Sequence, residues 1–481
     1  MGGDQEVTAK PPAAAGQAPA ERLPEEADSG RLLRGLGLTD CVLLVVGSMI
    51  GSGIFLTTGQ VAKHLPHPWL ILTAWLVGGA LALTGALTYA ELGAAIPRAG
   101  GHYVYLRKAY GPLVGFFDGW LSFLASFPGS IAFVALGLMG YLPSTWTGHH
   151  MWTVEILGLE WSVTSANLLA MGVIVALSTI NALGLRMGSG TQNMLTGLKL
   201  AALVGIAGFG LLSARGSWGN LGLSGIGGTG SAGLVGFGAA LIGISFAFLG
   251  WDATTYMAAE VRHPQRTIPR SLLLGTVLVL AVYLAFNVTL LYGLPTPSLA
   301  ASQGPARDAV GVLLGSGVAD LLGLAVIICI LGSLNATVMV GPRIYYAMAV
   351  DGLFPRALGA VNHRTHVPMV AIAAQAALSC IIVLSATLGR ILAFTVLVIW
   401  LLSAVTGAAV FVLRWREPEL SRPYQVWGYP WVPGIFCLSS LALLANHLAH
   451  TPHDLIWLAG FLVAGLPLYA LLRRRASRLD F

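Results

Sequence analysis

The sequence predicts an all-α integral membrane protein that crosses the bilayer many times. Two compositional observations point there: 56% of the residues are hydrophobic and only 10% are charged, against about 25% charged in a soluble domain, and mean hydropathy is +0.77. A third is distribution. Apolar stretches of roughly the 20 residues that a spanning helix needs recur along the chain, and none of the intervening segments reads as a separate globular domain.

Taken in order, residues 1–35 are rich in Ala, Pro, Gln and Glu and lack the apolar core of a signal peptide. They are expected to be a disordered cytoplasmic tail. Twelve spans follow, at about 37–64, 69–95, 111–141, 162–183, 190–213, 233–260, 269–293, 308–349, 368–387, 390–414, 431–449 and 454–472. The third and eighth are long enough to tilt or to extend beyond the bilayer. Residues 473–481 form a basic cytoplasmic tail.

Orientation follows from the Lys and Arg residues, which concentrate on the cytoplasmic side. With the N-terminus inside, 22 of the 26 basic residues fall in inner segments, and Lys63, Arg215, Arg307 and Arg390 are left outside. Lys199 is counted inside although it lies within a span; moving it changes nothing. An error of one span would scramble the alternation, so the bias supports both the count of twelve and a plasma-membrane protein with both termini cytoplasmic.

Other classes find little support. Cys41, Cys329, Cys380 and Cys437 lie in apolar stretches without CxxC spacing and read as buried free thiols. The histidines show no metal spacing. No Walker, HExxH or GxSxG motif suggests an enzyme, no cofactor is implied, and the net charge of +6 does not suggest nucleic acid.

Two spans carry break signals. The first contains Gly47-Ser48-Met49-Ile50-Gly51-Ser52-Gly53. Gly47 and Gly51 suit close helix packing, but Gly51-Ser52-Gly53 is denser than packing requires and points to a local unwinding. In lipid, unwound backbone is tolerated only where its polar groups meet water, an ion or a substrate. The amides of Ser52 and Gly53 would open a second half-helix and attract a carboxylate. The carbonyls of Ser48 and Met49 would end the first half and suit an ammonium. One break thus offers complements to both ends of a zwitterion. The sixth span, with Phe246-Ala247-Phe248-Leu249-Gly250-Trp251-Asp252, carries a weaker signal at a corresponding depth. Interrupted helices in corresponding positions of two halves point to inverted repeats around a midplane site: spans 1–5 (36–213) and 6–10 (233–414), with spans 11 and 12 (431–472) outside them.

At these residues the chain resembles the amino acid–polyamine–organocation superfamily, within it the prokaryotic L-amino-acid transporter (LAT)-like permeases. The resemblance covers nearly everything after about residue 35. It rests on Gly47–Phe55, Tyr89–Leu106, Phe246–Asp252 with Glu260 and His263–Arg270, and Gly332–Asn335 through Gly341–Pro355. It implies a LeuT-type five-plus-five inverted repeat with two extra C-terminal helices. The substrate carboxylate would meet the backbone of Gly51, Ser52 and Gly53. The amine would meet carbonyls near Met49, Phe246 and Leu249. Phe246 would help close an outer gate, with Trp251 beside the pocket.

Lys199, inside the fifth span, is either a snorkelling lysine or a charge facing the bundle interior. The resemblance implies the second. It places the ammonium where sodium-coupled relatives hold a sodium ion, in contact with carbonyls near Gly47 and with Ser333. Transport would then be sodium-independent, by exchange or by proton symport. Departures from the family pattern are informative. Leu249 adds bulk where a glycine is common, which favours small neutral amino acids such as alanine, serine or glycine. His102 stands where an acid is common. No cysteine lies between about 142 and 161, so no disulfide-linked heavy subunit is expected.

Remaining polar residues leave alternatives open. Glu91 either pairs with a loop arginine or belongs to an inner gate. Asp118 is expected at the interface. Asp252 lines the pathway or makes a structural hydrogen bond, and Asn335 is interhelical glue or part of the lysine site. A non-transporting amino-acid sensor is the competing functional class, and a channel is a third.

Overall fold

The computed structural model describes residues 2, 32–156, 159–222, 233–385 and 388–476. Most of the expected N-terminal tail, and residues 477–481, lie outside this set. The chain opens with α1 (Leu38–Met49), entered at Gly37, whose amide donates to Asp40 Oδ2 at 2.8 Å. Three residues later α2 (Gly53–His64) begins, and the two axes meet at 46°. Next come α3 (Pro68–Ala95), α4 (His102–Tyr110), α5 (Pro112–Leu121) and, across a π-helical turn at Ser122–Ser126, α6 (Phe127–Met139). Proline opens α3 and α5, where its missing N–H costs nothing.

A short helix, α7 (Ser144–Thr147), precedes an unforeseen antiparallel hairpin, β1 (His150–Ile156) with β2 (Leu159–Thr164). Thr164 then caps α8 (Ser165–Ala182) by accepting the Asn167 amide, and α9 (Leu185–Leu211) follows. The sixth span is α10 (Leu234–Ala247), an irregular stretch, α11 (Ala253–Tyr256) and a 3₁₀ turn at 258–260. Then come α12 (Pro264–Gly293), α13 (Thr296–Ala301), α14 (Pro305–Leu314), α15 (Ser316–Val340) and α16 (Pro342–Val350). The chain continues with α17 (Met369–Leu384), α18 (Leu388–Arg416), α19 (Trp431–His450) and α20 (Asp454–Ala476).

Every expected span meets a helix, with two changes of shape. The eighth, expected as one stretch over 308–349, is divided at Gly315, whose φ of +91° suits glycine, and again where Gly341 meets Pro342. The sixth does not run as helix to residue 260. Among the described residues, nine helices are long and apolar enough to cross a membrane, and the bent α1–α2 pair makes a tenth. The helices 234–247 and 369–384 are apolar but shorter, so length and composition do not by themselves reach twelve.

The broken α1–α2 pair is enclosed by α12, α9, α15 and α10, with α3 packed along α12. The segments assigned to one side by their basic residues do meet at one end. Leu36 N donates to Glu260 O and Leu36 O accepts from Arg262 N, at 2.9 and 2.8 Å. Arg98 and Arg107 pair with Asp351, and Lys108 pairs with Glu417. Glu91 is buried and holds Arg414 through two hydrogen bonds of 2.8 and 2.6 Å. Two polar residues sit deeper than expected. Arg343, counted with the inner segments, is 1% exposed and forms a bidentate pair with buried Glu260 at 2.8 and 3.0 Å. Removing one partner of such a pair costs about 3–5 kcal/mol, so it pins α16 to the end of the sixth span. Asp118, expected at an interface, is buried, because its side of α5 is covered by α4, where His102 Nδ1 lies 3.7 Å from its Oδ1.

Candidate functional site

The first helix stops at Met49 because Ile50 is extended, with φ −77° and ψ 100°. Gly51 and Ser52 form a bend, and no side chain caps α2. Among the described residues no hydrogen bond takes up the amides of Gly51, Ser52 or Gly53. These amides sit at the positive end of α2. The three residues are half-buried, an arrangement that suits a carboxylate.

The opposite edge of the break is occupied. Lys199 is 0% exposed, and its ammonium donates to Gly47 O at 2.8 Å, Ile50 O at 2.7 Å and Cys329 O at 3.2 Å. A lysine has three N–H donors, and all three are used. Among the described residues no carboxylate pairs with it; carbonyl dipoles at the C-terminal end of α1 hold the charge. Ser333, expected as a partner, is displaced from that role. Its hydroxyl turns back to Ile330 O at 3.0 Å, and the carbonyl one turn earlier, of Cys329, faces the lysine. Ser333 lies instead against Gly51, 3.5 Å from where a Cβ would stand.

Lys199 ends a polar stripe on α9. Gln192, Thr196 and Lys199 are spaced i, i+4, i+7 and share one face. Thr196 donates to Leu43 O, and Gln192 accepts from Asn335, which also accepts from Asn181. Asn335 therefore joins α8, α9 and α15 rather than contacting the lysine. Gly47 is the point of closest approach: a Cβ there would stand 2.0 Å from Gln192 Nε2.

The second break lies directly against the first. Gly250 has φ +101°, and a Cβ on it would stand 2.5 Å from Ser48 Oγ and 3.0 Å from Ser48 C. Only glycine meets both conditions. Tyr283 on α12 ties the breaks together, its hydroxyl lying 3.1 Å from Met49 O and 3.0 Å from Ala247 O. Its ring is held by Trp75 and Phe248. Sequence reasoning missed it, since one tyrosine in an apolar span carries no distinguishing pattern. The Met49 carbonyl thus already accepts one hydrogen bond and keeps a second lone pair. Phe246 is 40% exposed and meets the Trp400 ring at 6.2 Å. Leu249 is half-buried, and Phe246 O accepts its amide at 3.3 Å. The Trp251 ring packs behind the break, between Tyr89 and Phe436.

Among the described residues no group of His, Cys, Asp and Glu could hold a metal ion. The comparisons agree with the transport geometry. A family model described as amino acid permease matches residues 36–466. The chain is 31% identical over 456 residues to the serine/threonine exchanger SteT of Bacillus subtilis (strain 168), covering 94% of this chain and 99% of that protein. It is 29% identical over 455 residues to the human b(0,+)-type amino acid transporter 1, covering 93% and 89%. It is 28% identical over 406 residues to the human Asc-type amino acid transporter 1, covering 84% and 76%. This chain belongs to the amino acid permease family and is a multi-pass membrane transporter of amino acids.

Proposed function

We propose that the protein is a sodium-independent exchanger of small neutral amino acids, working by alternating access around the two breaks. The carrying observation is the Lys199 ammonium, which fills its three donors on Gly47, Ile50 and Cys329 carbonyls. A sodium ion at that place would need the same oxygens. The free amides of Gly51, Ser52 and Gly53 take the substrate carboxylate; the amine lies near the carbonyls of Met49, Phe246 and Leu249. Leu249 narrows the wall and favours alanine, serine or glycine. A relative described as a serine/threonine exchanger supports both the substrate size and exchange over proton symport. Because the relatives are transporters and exchangers, the sensor reading is set aside.

The two repeats are residues 36–213 and 233–414, within twelve spans, and both termini face the cytoplasm. Phe246 serves as the outer gate. With no cysteine between 142 and 161, the chain needs no disulfide-linked partner.

Uptake of labelled serine into proteoliposomes tests this reading. We expect uptake that requires internal amino acid and persists without sodium. Gly53→Trp should abolish it while the protein still elutes as a folded species. A sodium requirement, or full uptake by Gly53→Trp, would overturn the site.

A further inference from the structure

A second cluster of ionisable groups lies at the basic end, apart from the amino-acid site. His102, at the start of α4, stands between two carboxylates. Its Nε2 is 3.2 Å from Asp252 Oδ2 and its Nδ1 is 3.7 Å from Asp118 Oδ1. The Tyr256 hydroxyl is 2.6 Å from the same Nε2 and donates to Asp252 Oδ2 at 3.0 Å. Tyr89 of α3 meets the imidazole edge-on at 5.7 Å. Asp118 is 1% exposed, and among the described residues neither of its oxygens has a hydrogen-bond partner. Such buried polar groups are rare and call for a ligand or a proton. A neutral imidazole has one N–H and can serve only one of the two carboxylates. An imidazolium carries an N–H on both nitrogens and sets a positive charge between Asp252, at hydrogen-bond distance, and Asp118, in ion-pair range at 3.7 Å.

The groups facing His102 are Asp118 from α5, Asp252 from the sixth break, Tyr256 from α11 and Tyr89 from α3. Arg98 and Arg107, the nearest basic residues in sequence, are engaged by Asp351. The cluster therefore joins the segment that leaves the sixth break to α3, α4 and α5.

We propose that His102, Asp118 and Asp252 form a proton-binding site that latches the basic end of the transport path shut when occupied. The role as a latch rests on the exchange reading above; the site itself does not. Burial opposes the imidazolium, but the Asp252 hydrogen bond and the charges of Asp118 and Asp252 outweigh it, raising the His102 pKa above its ordinary value. Closing this end therefore takes up a proton. The latch is at full strength below the ordinary imidazole pKa of about 6.5 and is lost as pH rises through the raised value.

Two measurements test this. In protein labelled with ¹³C-histidine and held in nanodiscs, NMR should show the His102 imidazole, assigned by its loss in His102→Gln, titrating above about 6.5. Asp118→Asn should move that titration down. Titration at or below the ordinary value, or no response to Asp118→Asn, would overturn the site. In proteoliposomes at equal pH on both sides, serine exchange should rise about fivefold from pH 6 to pH 8, where a unit of pH changes proton occupancy by up to tenfold. His102→Gln should flatten this profile, and Asp118→Asn should shift its midpoint to lower pH. An unchanged profile in both variants overturns the latch. If the unmodified protein exchanges no amino acid at any pH, the exchange reading fails, and the titration still decides the proton site.

Discussion

The two breaks occupy matching places in their spans but are built differently. The first separates two helices of 12 residues each. Its carbonyl edge is engaged by Lys199 and Tyr283, and among the described residues no hydrogen bond takes up its amide edge. The second follows a 14-residue helix and gives way to a single helical turn and a 3₁₀ turn. Its polar groups are tied outward, Asp252 to His102 and Tyr256, and Glu260 to Arg343. On the proposed reading the first break receives the substrate carboxylate, and the second is chiefly a joint, shaped by Gly250 and anchored at its exit. Two breaks at matching depth need not have matching roles.

The largest expected effect is on the receptor side. Lys199→Met removes the donor that Gly47 O, Ile50 O and Cys329 O share; Cys329 O keeps its helical partner inside α15, but the buried carbonyls of Gly47 and Ile50 at the break are left unpaired, at about 1–3 kcal/mol each. Exchange should fall by more than about 100-fold in proteoliposomes, and added sodium should not restore it. Exchange within a factor of two of normal would remove Lys199 from the mechanism.

Next comes the joint. Gly250→Ala places a side chain at φ +101° and 2.5 Å from Ser48 Oγ. Strain of about 1–3 kcal/mol at such a position, added to the clash, should slow exchange about 10- to 100-fold. The pairing with Ser48 →Gly sharpens the comparison. It relieves the Oγ contact but leaves the strain and the 3.0 Å approach to Ser48 C, so rescue should be partial. Complete rescue would mean that the left-handed backbone is dispensable.

Tyr283→Phe probes the link between the two regions. It deletes the hydroxyl shared by Met49 O and Ala247 O, at about 0.5–1.5 kcal/mol for a net hydrogen bond. Serine affinity should weaken about two- to tenfold, measured as KM in exchange. A change in maximal rate with KM unmoved would assign the tyrosine to the conformational step instead.

How much of this was legible beforehand depended on whether a feature resides in side chains or in main chain. Gly51-Ser52-Gly53 announces its unwinding because glycines cluster where a helix is otherwise uninterrupted, and Lys199 is conspicuous as a charge inside a span. Gly47, in the same motif, serves packing against Gln192 and Thr196; composition alone does not separate the two uses. The acceptor carbonyl of Cys329 was invisible, since any residue supplies one, and the serine one turn away drew attention for its hydroxyl. Asp118, expected at an interface, is buried because α4 folds back over its side of α5, a covering that the position of Asp118 in its own span does not reveal. Glu260 and Arg343 are 83 residues apart, and nothing local marks them as partners.

The smallest expected effect is the most discriminating. A Cβ on Gly53 would stand 3.5 Å from both Cα and Cβ of Ala247, an ordinary van der Waals contact. No positive φ is required there, and Gly53 opens α2. Alanine at this position therefore fits without strain and leaves the amide in place, so Gly53→Ala should keep exchange within about threefold, well under 1 kcal/mol. What it alters is the width of the cleft between α2 and α10, so the loss should grow from glycine to serine to threonine as substrate. Gly250→Ala, by contrast, should slow all three alike, because it acts on the joint and not on the cleft. If Gly53→Ala slows glycine and threonine equally, or Gly250→Ala discriminates by size, the two breaks have been assigned the wrong way round.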